Sequence, residues 1–347
     1  MIERKYAEFA VQSTERLLGI DSPTSFTKAA AAWTLNAFRD LGFPAQLTNK
    51  GGVLVDLGGD DTAPEGGLLL MAHVDTLGGM VSAVKGSGRL SVTNLGGMNA
   101  NNAETENVRV YTRAGQVYEG TAQLVNASVH VNGNYSGTSR SWDTVEIVLD
   151  EDVKSADDVK ALGIRVGDIV AFDPRTRTTA SGYIKSRFLD DKLSVGILLG
   201  FAAFLRDGKV RLPRRTFIHV TVFEEVGHGG AAPVPAGVTE CISVDMGCVG
   251  DGLDCTERQV SICVKDSGGP YNYDTVSRLI AAAEAEGADY ATDVYPHYGS
   301  DVEAAAACHD ILHGLIGAGV YASHGYERSH IDGVWNTLRV LKGYLKV

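Results

Sequence analysis

The chain of 347 residues is longer than one typical domain and shorter than three. Its formal net charge of −12 argues against nucleic-acid or membrane partners, since both need basic patches. Five cysteines, an odd number without a CxxC pair, favour a reducing compartment over a disulfide framework. The start MIERKYAEF lacks the apolar core of a signal peptide, so the sequence predicts a cytoplasmic protein.

The first part of the chain predicts alternating helices and strands. Amphipathic patterns indicate helices over residues 4–19 and 24–41, and two apolar runs, GGVLVDLGG and GGLLLMAHVD, follow with the spacing of buried strands. From 82 to 185 the helical pattern fades, and short alternating runs rich in Thr, Val, Asn, Ser and Gly take its place. This change of texture predicts an inserted, β-rich domain that resembles a small barrel.

After the insert the helix–strand alternation returns. The pattern predicts helices over 191–206 and 274–286, strands over 216–223 and 241–246, and a last helix from about 330. Ser300 and Glu303 have the spacing of a capping box at the start of a further helix. The two ends of the chain, 1–81 plus 186–347, are therefore expected to form one α/β domain, with a mixed central sheet flanked by helices.

Five short stretches place metal-ligand types where apolar strands end or helices begin. They are AHVD with His73 and Asp75, FLDDK with Asp190 and Asp191, FEEVG with Glu224 and Glu225, SVDMG with Asp245, and ERSHID with His330. Ligand sites in open α/β sheets gather at the carboxyl ends of strands, so these residues are expected in one site. Two imidazoles and several carboxylates without a thiolate suit two divalent ions, of which Zn²⁺, Co²⁺ and Mn²⁺ are candidates.

Spacing within these stretches indicates how the work is divided. In an extended segment residues i and i+2 share a face, so Asp75 can orient the His73 ring. Adjacent Glu224 and Glu225 diverge in a strand, so one can bind metal while the other stays free. A free carboxylate beside metal-activated water is what a hydrolase needs as a general base.

Together these motifs resemble the tetrahedral (TET), glutamyl-aminopeptidase-like co-catalytic metallo-aminopeptidases, metallopeptidase family 42. The resemblance covers nearly the whole chain, from AHVDTLGGMV through LGIRVGDIVAFDP to the terminal ERSHID. It implies a zinc-exopeptidase-like fold in which Asp190 bridges two ions, although Asp191 could also bridge. It further implies the remaining roles: His73 and Asp245 bind one ion, Glu225 and His330 bind the other, Glu224 is the general base, and Asp75 supports His73.

The activity implied by the resemblance is that of an aminopeptidase acting on short peptides. A hydroxide bridging two ions, of which zinc is the first candidate, would form when Glu224 takes a proton from water, and it would then attack the scissile carbonyl. The insert would assemble the chain into a tetrahedral dodecamer. Two stretches depart from the family pattern: Asp-Asp-Lys stands for Asp-Asp-Arg, and ERSH stands for Tyr-Ile-His-Ser. The combination of HVDTLGGMV with GYERSHIDGVWNT is similar to a bacterial branch associated with synthesis of a dipeptide-amide osmoprotectant.

Other functions remain open at this stage. The same dimetal chemistry could serve a deacylase or a dipeptide-amide hydrolase. A metal-independent glycoside hydrolase could use Glu224 in an acid/base pair, and a non-catalytic assembly protein could carry a relict site. Among the other histidines, His297 and His324 occur where the resemblance places substrate-pocket loops, whereas His219 is expected in the core and His228 in a loop.

Overall fold

The computed structural model describes residues 2–347, which form eight α-helices and eighteen β-strands. The helices are α1 (Arg4–Leu18), α2 (Lys28–Asp40), α3 (Ala100–Ala103), α4 (Ala156–Ala161), α5 (Leu189–Gly208), α6 (Tyr273–Glu286), α7 (Asp301–Cys308) and α8 (Ile331–Tyr344). The strands are β1 (Ala45–Leu47), β2 (Val53–Gly58), β3 (Gly67–His73), β4 (Gly78–Val84), β5 (Leu90–Leu95), β6 (Asn107–Tyr111), β7 (Val117–Leu124), β8 (Val145–Leu149), β9 (Ile169–Phe172), β10 (Arg177–Thr178), β11 (Tyr183–Ser186), β12 (Thr216–Thr221), β13 (Val238–Val244), β14 (Gly247–Val249), β15 (Val260–Lys265), β16 (Tyr290–Val294), β17 (Leu312–Tyr321) and β18 (Glu327–His330). Within this range no helix is both long and apolar enough to cross a bilayer.

The larger of two compact units is built on a twelve-stranded sheet and comprises the residues up to Asp75 together with Arg175–Val347. Its main strand order is β1-β2-β12-β3-β13-β17-β18-β11-β10; β14 and β15 also pair with β17, and β16 pairs with β15. Strands β12, β3, β13 and β17 pair in parallel with one another, whereas β2 runs antiparallel to β12 and β18 runs antiparallel to β17. The carboxyl ends of the four parallel strands therefore meet at one edge of the sheet.

The smaller unit, Thr76–Pro174, contains a closed barrel with the strand order β4-β5-β8-β7-β6-β9. The predicted α/β class, with a mixed central sheet and an inserted barrel, is confirmed. The boundaries of the insert lie earlier than residues 82 and 185, because β4 already belongs to the barrel while β10 and β11 belong to the large sheet. Residues Tyr183–Ser186 alternate between buried and partly exposed positions, as strands of the barrel also do. A sequence pattern of this kind therefore cannot assign the segment to the barrel or to the large sheet.

Helix α5, which carries Asp190 and Asp191, is buried along most of its length and packs closely against α1. A Cβ atom on Gly196 would lie 2.1 Å from Thr14 Oγ1 and 2.6 Å from the Ala10 carbonyl oxygen. One turn further, a Cβ atom on Gly200 would lie 2.7 Å from the Tyr6 carbonyl oxygen. The close approach of the two helices therefore requires glycine at both positions.

We predict that Gly196→Ala lowers the free energy of unfolding by about 1–3 kcal/mol, because the added methyl group overpacks the α1–α5 contact. Gly250→Ala is the matched control, since a Cβ atom there meets nothing within 4 Å. Its effect should stay within about 0.5 kcal/mol, as for most surface substitutions. Urea unfolding of both variants tests this, and equal stability of the two would contradict the inferred packing.

Candidate metal centre

Most of the predicted metal ligands lie at the edge where the parallel strands end. His73 is the last residue of β3, and Asp245 directly follows β13. Glu224 and Glu225 follow β12 in a short 3-10 turn, and Asp190 enters from the start of α5. A sheet edge formed from segments distant in sequence thus brings these five side chains together, as expected for an open α/β sheet.

A first group of candidate ligands consists of His73, Asp190 and Asp245, whose ligand atoms all lie within 4.8 Å of one another. His73 Nε2 is 3.1 Å from Asp190 Oδ1. On the other side of the ring, Nδ1 lies 2.9 Å from the Asp75 carbonyl oxygen and 3.6 Å from Asp75 Oδ1. Because Nδ1 must donate to these oxygens, Nε2 keeps a lone pair that can bind an ion.

A second group consists of Asp190, Glu225 and His324, again with ligand atoms within 4.8 Å. His324 Nε2 lies 3.5 Å from Asp190 Oδ2 and 3.6 Å from Glu225 Oε2. Asp190 is the residue shared by the two groups. Asp191 is fully buried, follows Asp190 through a cis peptide bond, and accepts a hydrogen bond from the His73 backbone N–H at 3.2 Å. Its observed contact therefore supports His73, and of the two aspartates only Asp190 belongs to the groups of candidate ligands.

The structure corrects the prediction that His330 is the second imidazole ligand. His330 ends β18, which runs antiparallel to β17, so it lies away from the edge where the parallel strands end. Its Nε2 lies 2.8 Å from the Ser181 carbonyl oxygen, and its Nδ1 accepts from the Asp332 backbone N–H at 3.0 Å, capping α8. Both ring nitrogens therefore have other partners. His324 follows β17 by three residues, a position that the strand-end rule indicates once that strand is recognised.

The two glutamates diverge, but not through strand alternation as predicted. Strand β12 ends at Thr221, and Phe223 adopts the left-handed conformation with φ of 71° before the 3-10 turn Glu224–Val226. Glu224 Oε2 lies 3.5 Å from His73 Nε2 in the first group, and the Glu224 backbone N–H donates to Asp75 Oδ1 at 3.2 Å. Glu225 instead faces His324. The turn therefore gives each glutamate a different group of neighbours.

Ser300 supports Asp245 and does not form the predicted capping box. Its hydroxyl lies 2.6 Å from Asp245 Oδ2, and its side chain makes no hydrogen bond to the first turn of α7. The other carboxylate oxygen, Asp245 Oδ1, accepts from the Met246 backbone N–H at 2.6 Å. Asp301, the first residue of α7, is buried nearby and accepts a hydrogen bond from the Thr221 hydroxyl.

The centre gathers more negative charge than its two histidines can balance. The side chains of Glu224 and Glu225 are 14% and 4% exposed, and burial raises the pKa of both well above the usual range. Burial also raises the pKa of Asp245 to about 6. Asp191 Oδ1 and Glu225 Oε1 have no hydrogen-bond partner within residues 2–347. Uncompensated buried carboxylates beside two imidazoles fit a pair of divalent cations.

A cavity of about 630 Å³ opens onto both groups. Asp190, Glu224, Glu225, Asp245 and His324 line it, together with Ser267, His297, Tyr298, Ser300, Asp301 and Glu303. Both histidines expected in pocket loops, His297 and His324, are among these lining residues. The volume is typical of a small-molecule site and accommodates a short peptide end.

Lys192, which replaces the arginine of the Asp-Asp-Arg family pattern, does not line this cavity. Lys192 is buried and donates from Nζ to the Ile20 carbonyl oxygen at 2.7 Å. Burial lowers the pKa of Lys192 to about 7. This lysine therefore ties α5 to the segment that follows α1.

Comparison with known proteins decides the family. A family model described as M42 glutamyl aminopeptidase matches residues 51–340, which is most of the chain. The chain belongs to the M42 aminopeptidase family. It is therefore a peptidase, and the resemblance inferred from AHVD, FEEVG and the other motifs is confirmed.

Some relatives of this M42 aminopeptidase cover nearly its whole length, and others cover about half of it. It is 41% identical over 333 residues to YhfE of Bacillus subtilis (strain 168), covering 96% of each chain. It is 28% identical over 196 residues to the glutamyl aminopeptidase of Lactococcus lactis subsp. cremoris (strain MG1363), covering 55% of this chain and 53% of that one. The TET1 peptidase of Pyrococcus horikoshii, described as assembling into a tetrahedron or a large octahedral shell, has a similar fold. It shows a TM-score of 0.84 at 19% identity, covering 97% of this chain and 99% of its own.

The contacts of the two histidines lead to opposite expectations for their removal. We predict that His324→Ala lowers the metal content of the M42 aminopeptidase by one ion per chain, because the second group loses its imidazole. His330→Ala should keep its metal but lower the free energy of unfolding by about 1 kcal/mol, since it removes the cap of α8. Elemental analysis and urea unfolding check both, and loss of an ion only from the His330 variant would contradict the assignment.

Proposed function

We propose that this aminopeptidase removes the N-terminal residue of short peptides at a dinuclear metal centre. The observation that carries the proposal is the sharing of Asp190 between two groups of candidate ligands at the floor of one cavity. His73 and Asp245 would complete the first ion, and Glu225 and His324 the second. Zinc suits the mixture of imidazole and carboxylate, and cobalt or manganese would fit the same donors.

When bound, such a pair of ions activates a water molecule and polarises the scissile carbonyl group. Asp75 holds the His73 ring through its carbonyl and carboxylate oxygens, so the orientation of Nε2 is set before substrate arrives. Thr24 in turn donates to Asp75 Oδ2 at 2.8 Å, which fixes that carboxylate. The chain therefore supplies a preorganised centre, and little rearrangement is needed on binding.

Glu224 is the proposed general base. It lines the cavity, lies beside the first group without belonging to either, and has a raised pKa caused by burial. A carboxylate in such surroundings holds a proton more readily than one in water. Glu224 would take the proton of the attacking water and deliver it to the amine that leaves.

The acidic cavity also accounts for the preference for a chain end. A free α-amine brings positive charge or a lone pair to a site where Glu225, Asp245 and Asp301 are buried together. An acylated amine brings neither, so the proposal favours aminopeptidase over deacylase chemistry. Family membership likewise favours peptide hydrolysis over glycoside hydrolysis.

We also propose that the chain forms a closed homo-oligomer in which the barrel unit, Thr76–Pro174, contributes the assembly contacts. The described assembly of the Pyrococcus horikoshii relative into a tetrahedron supports a dodecamer. A reducing, cytoplasmic setting agrees with five cysteines that are all free thiols. Light scattering on the purified protein measures the number of chains, and a monomer at micromolar concentration would contradict the assembly.

The division of labour between the two glutamates gives a direct test. Glu224→Gln should lower kcat by about 10²–10⁴-fold while both ions stay bound, because it removes the base and leaves both groups of ligands intact. Glu225→Ala should lose one ion per chain, because it removes a ligand of the second group. Elemental analysis beside steady-state kinetics separates the two effects, and the reverse pattern would overturn the assigned roles.

A substrate panel tests the reaction class. Aminoacyl anilides with a free α-amine should be hydrolysed, and their N-acetylated counterparts should react at least about 100-fold more slowly, a difference of about 2.7 kcal/mol in transition-state stabilisation. A strong chelator should abolish activity, and added Zn²⁺, Co²⁺ or Mn²⁺ should restore it. Preference for N-acyl amino acids would favour the deacylase, and activity that survives the chelator would contradict the dinuclear centre.

A further inference from the structure

Glu327 is a buried carboxylate of the centre that belongs to neither group of candidate ligands. We propose that Glu327 is a positioning residue that holds Asp190 and His324 in the arrangement needed by the second ion. The inference rests on the proposed dinuclear centre and assigns a role that sequence motifs do not indicate.

The contacts of Glu327 join two ligands that are far apart in the sequence. The Asp190 backbone N–H donates to Glu327 Oε2 at 3.0 Å, and the His324 backbone N–H donates to Glu327 Oε1 at 3.1 Å. Glu327 is only 2% exposed, so both hydrogen bonds are shielded from water. Each carboxylate oxygen thus holds the main chain of one residue of the second group.

The segment that presents His324 depends on outside support. It links β17 to β18, and both Ala322 and His324 adopt the left-handed conformation, with φ of 58° and 61°. That region is disfavoured for residues with a Cβ atom. The hydrogen bond from the His324 N–H to Glu327 is therefore a specific contact that offsets this preference and keeps the imidazole at the sheet edge.

Glu327 itself is firmly placed, because it begins β18 and pairs with Ser186 of β11. Strand β11 leads directly into α5, which carries Asp190. The Glu327 carboxylate is therefore carried by a paired strand of the sheet. It lies between β11, which leads to Asp190, and the β17–β18 segment, which presents His324. This placement makes it a fixed reference for both.

Loss of this support should fall mainly on the second ion. In the first group His73 is oriented by Asp75, and Asp245 is held by Ser300 and the Met246 N–H. Neither of these supports involves Glu327. Both His324 and Asp190 belong to the second group, so that group loses two supported positions while the first loses one.

Glu327→Gln is the informative substitution because it keeps the shape of the side chain. A carboxamide has one acceptor oxygen and one NH₂ group, and an NH₂ group cannot accept from a backbone N–H. One of the two amides must therefore lose its partner in either orientation. Glu327→Asp offers a second variant, since the shorter side chain keeps the charge but cannot span both amides.

The experiment compares the wild-type enzyme with Glu327→Gln and the control Glu257→Gln. Glu257 is a partly exposed residue whose Oε1 lies 3.0 Å from Arg328 Nε. Arg328 is the residue that directly follows Glu327 in the sequence. Each protein is freed of metal, titrated with Co²⁺ and followed by visible absorption, with elemental analysis of the bound metal. Wild type and control should bind two ions per chain. Glu327→Gln should bind the second ion at least about tenfold more weakly, as for other outer supports of metal ligands, and the first ion with a clearly smaller loss of affinity.

Circular dichroism and the unfolding midpoint of the metal-free proteins serve as fold controls. If Glu327→Gln is unfolded, Glu327→Asp is titrated in its place, with the same selective weakening expected. Two ions bound as tightly as in wild type, or equal weakening of both, would overturn the positioning role. Failure of the wild-type enzyme to bind two ions would instead overturn the dinuclear centre itself.

Discussion

The parallel pairing of β12, β3, β13 and β17 is the constraint on which the centre depends. Parallel strands end on the same side of a sheet, so residues that follow them converge whatever their separation in sequence. His73 ends one of these four strands, and the Glu224–Glu225 turn, Asp245 and His324 each follow one of the others. Only Asp190 reaches the site by another route, from the first turn of α5.

The second constraint is electrostatic. Burying several carboxylates beside one another is unfavourable unless protons or cations balance them. Here the main chain satisfies individual oxygens of Asp191, Asp245 and Glu327, but it does not remove the excess negative charge. The fold therefore holds an arrangement that is costly alone and favourable once cations bind. Metal binding and the stability of this edge of the sheet are expected to be linked.

Much of the fold could be predicted from the sequence, and so could most of the side chains that the sheet edge brings together. His73 and Asp245 follow long apolar runs, so the strand-end rule places them well. The rule also applies to His324, but β18 ends in a second histidine, His330, and the overall order of motifs in the family assigns the ligand role to that residue. Which of the two histidines lies at the site depends on the directions of β17 and β18 in the sheet. A local sequence motif does not indicate strand direction. Ser300 and Glu327 escaped prediction because their partners are distant in the chain.

Two glycines of α5 connect the position of Asp190 to α1, a helix that contributes no residue to the candidate metal centre. Gly196 and Gly200 let α5 settle against the backbone of α1, and Lys192 fastens the start of α5 to the Ile20 carbonyl. The position of Asp190 therefore depends on how the first twenty residues of the chain pack against α5. Sequence changes in α1 that disturb this packing are therefore expected to shift Asp190, although α1 contributes no residue to either group of candidate ligands.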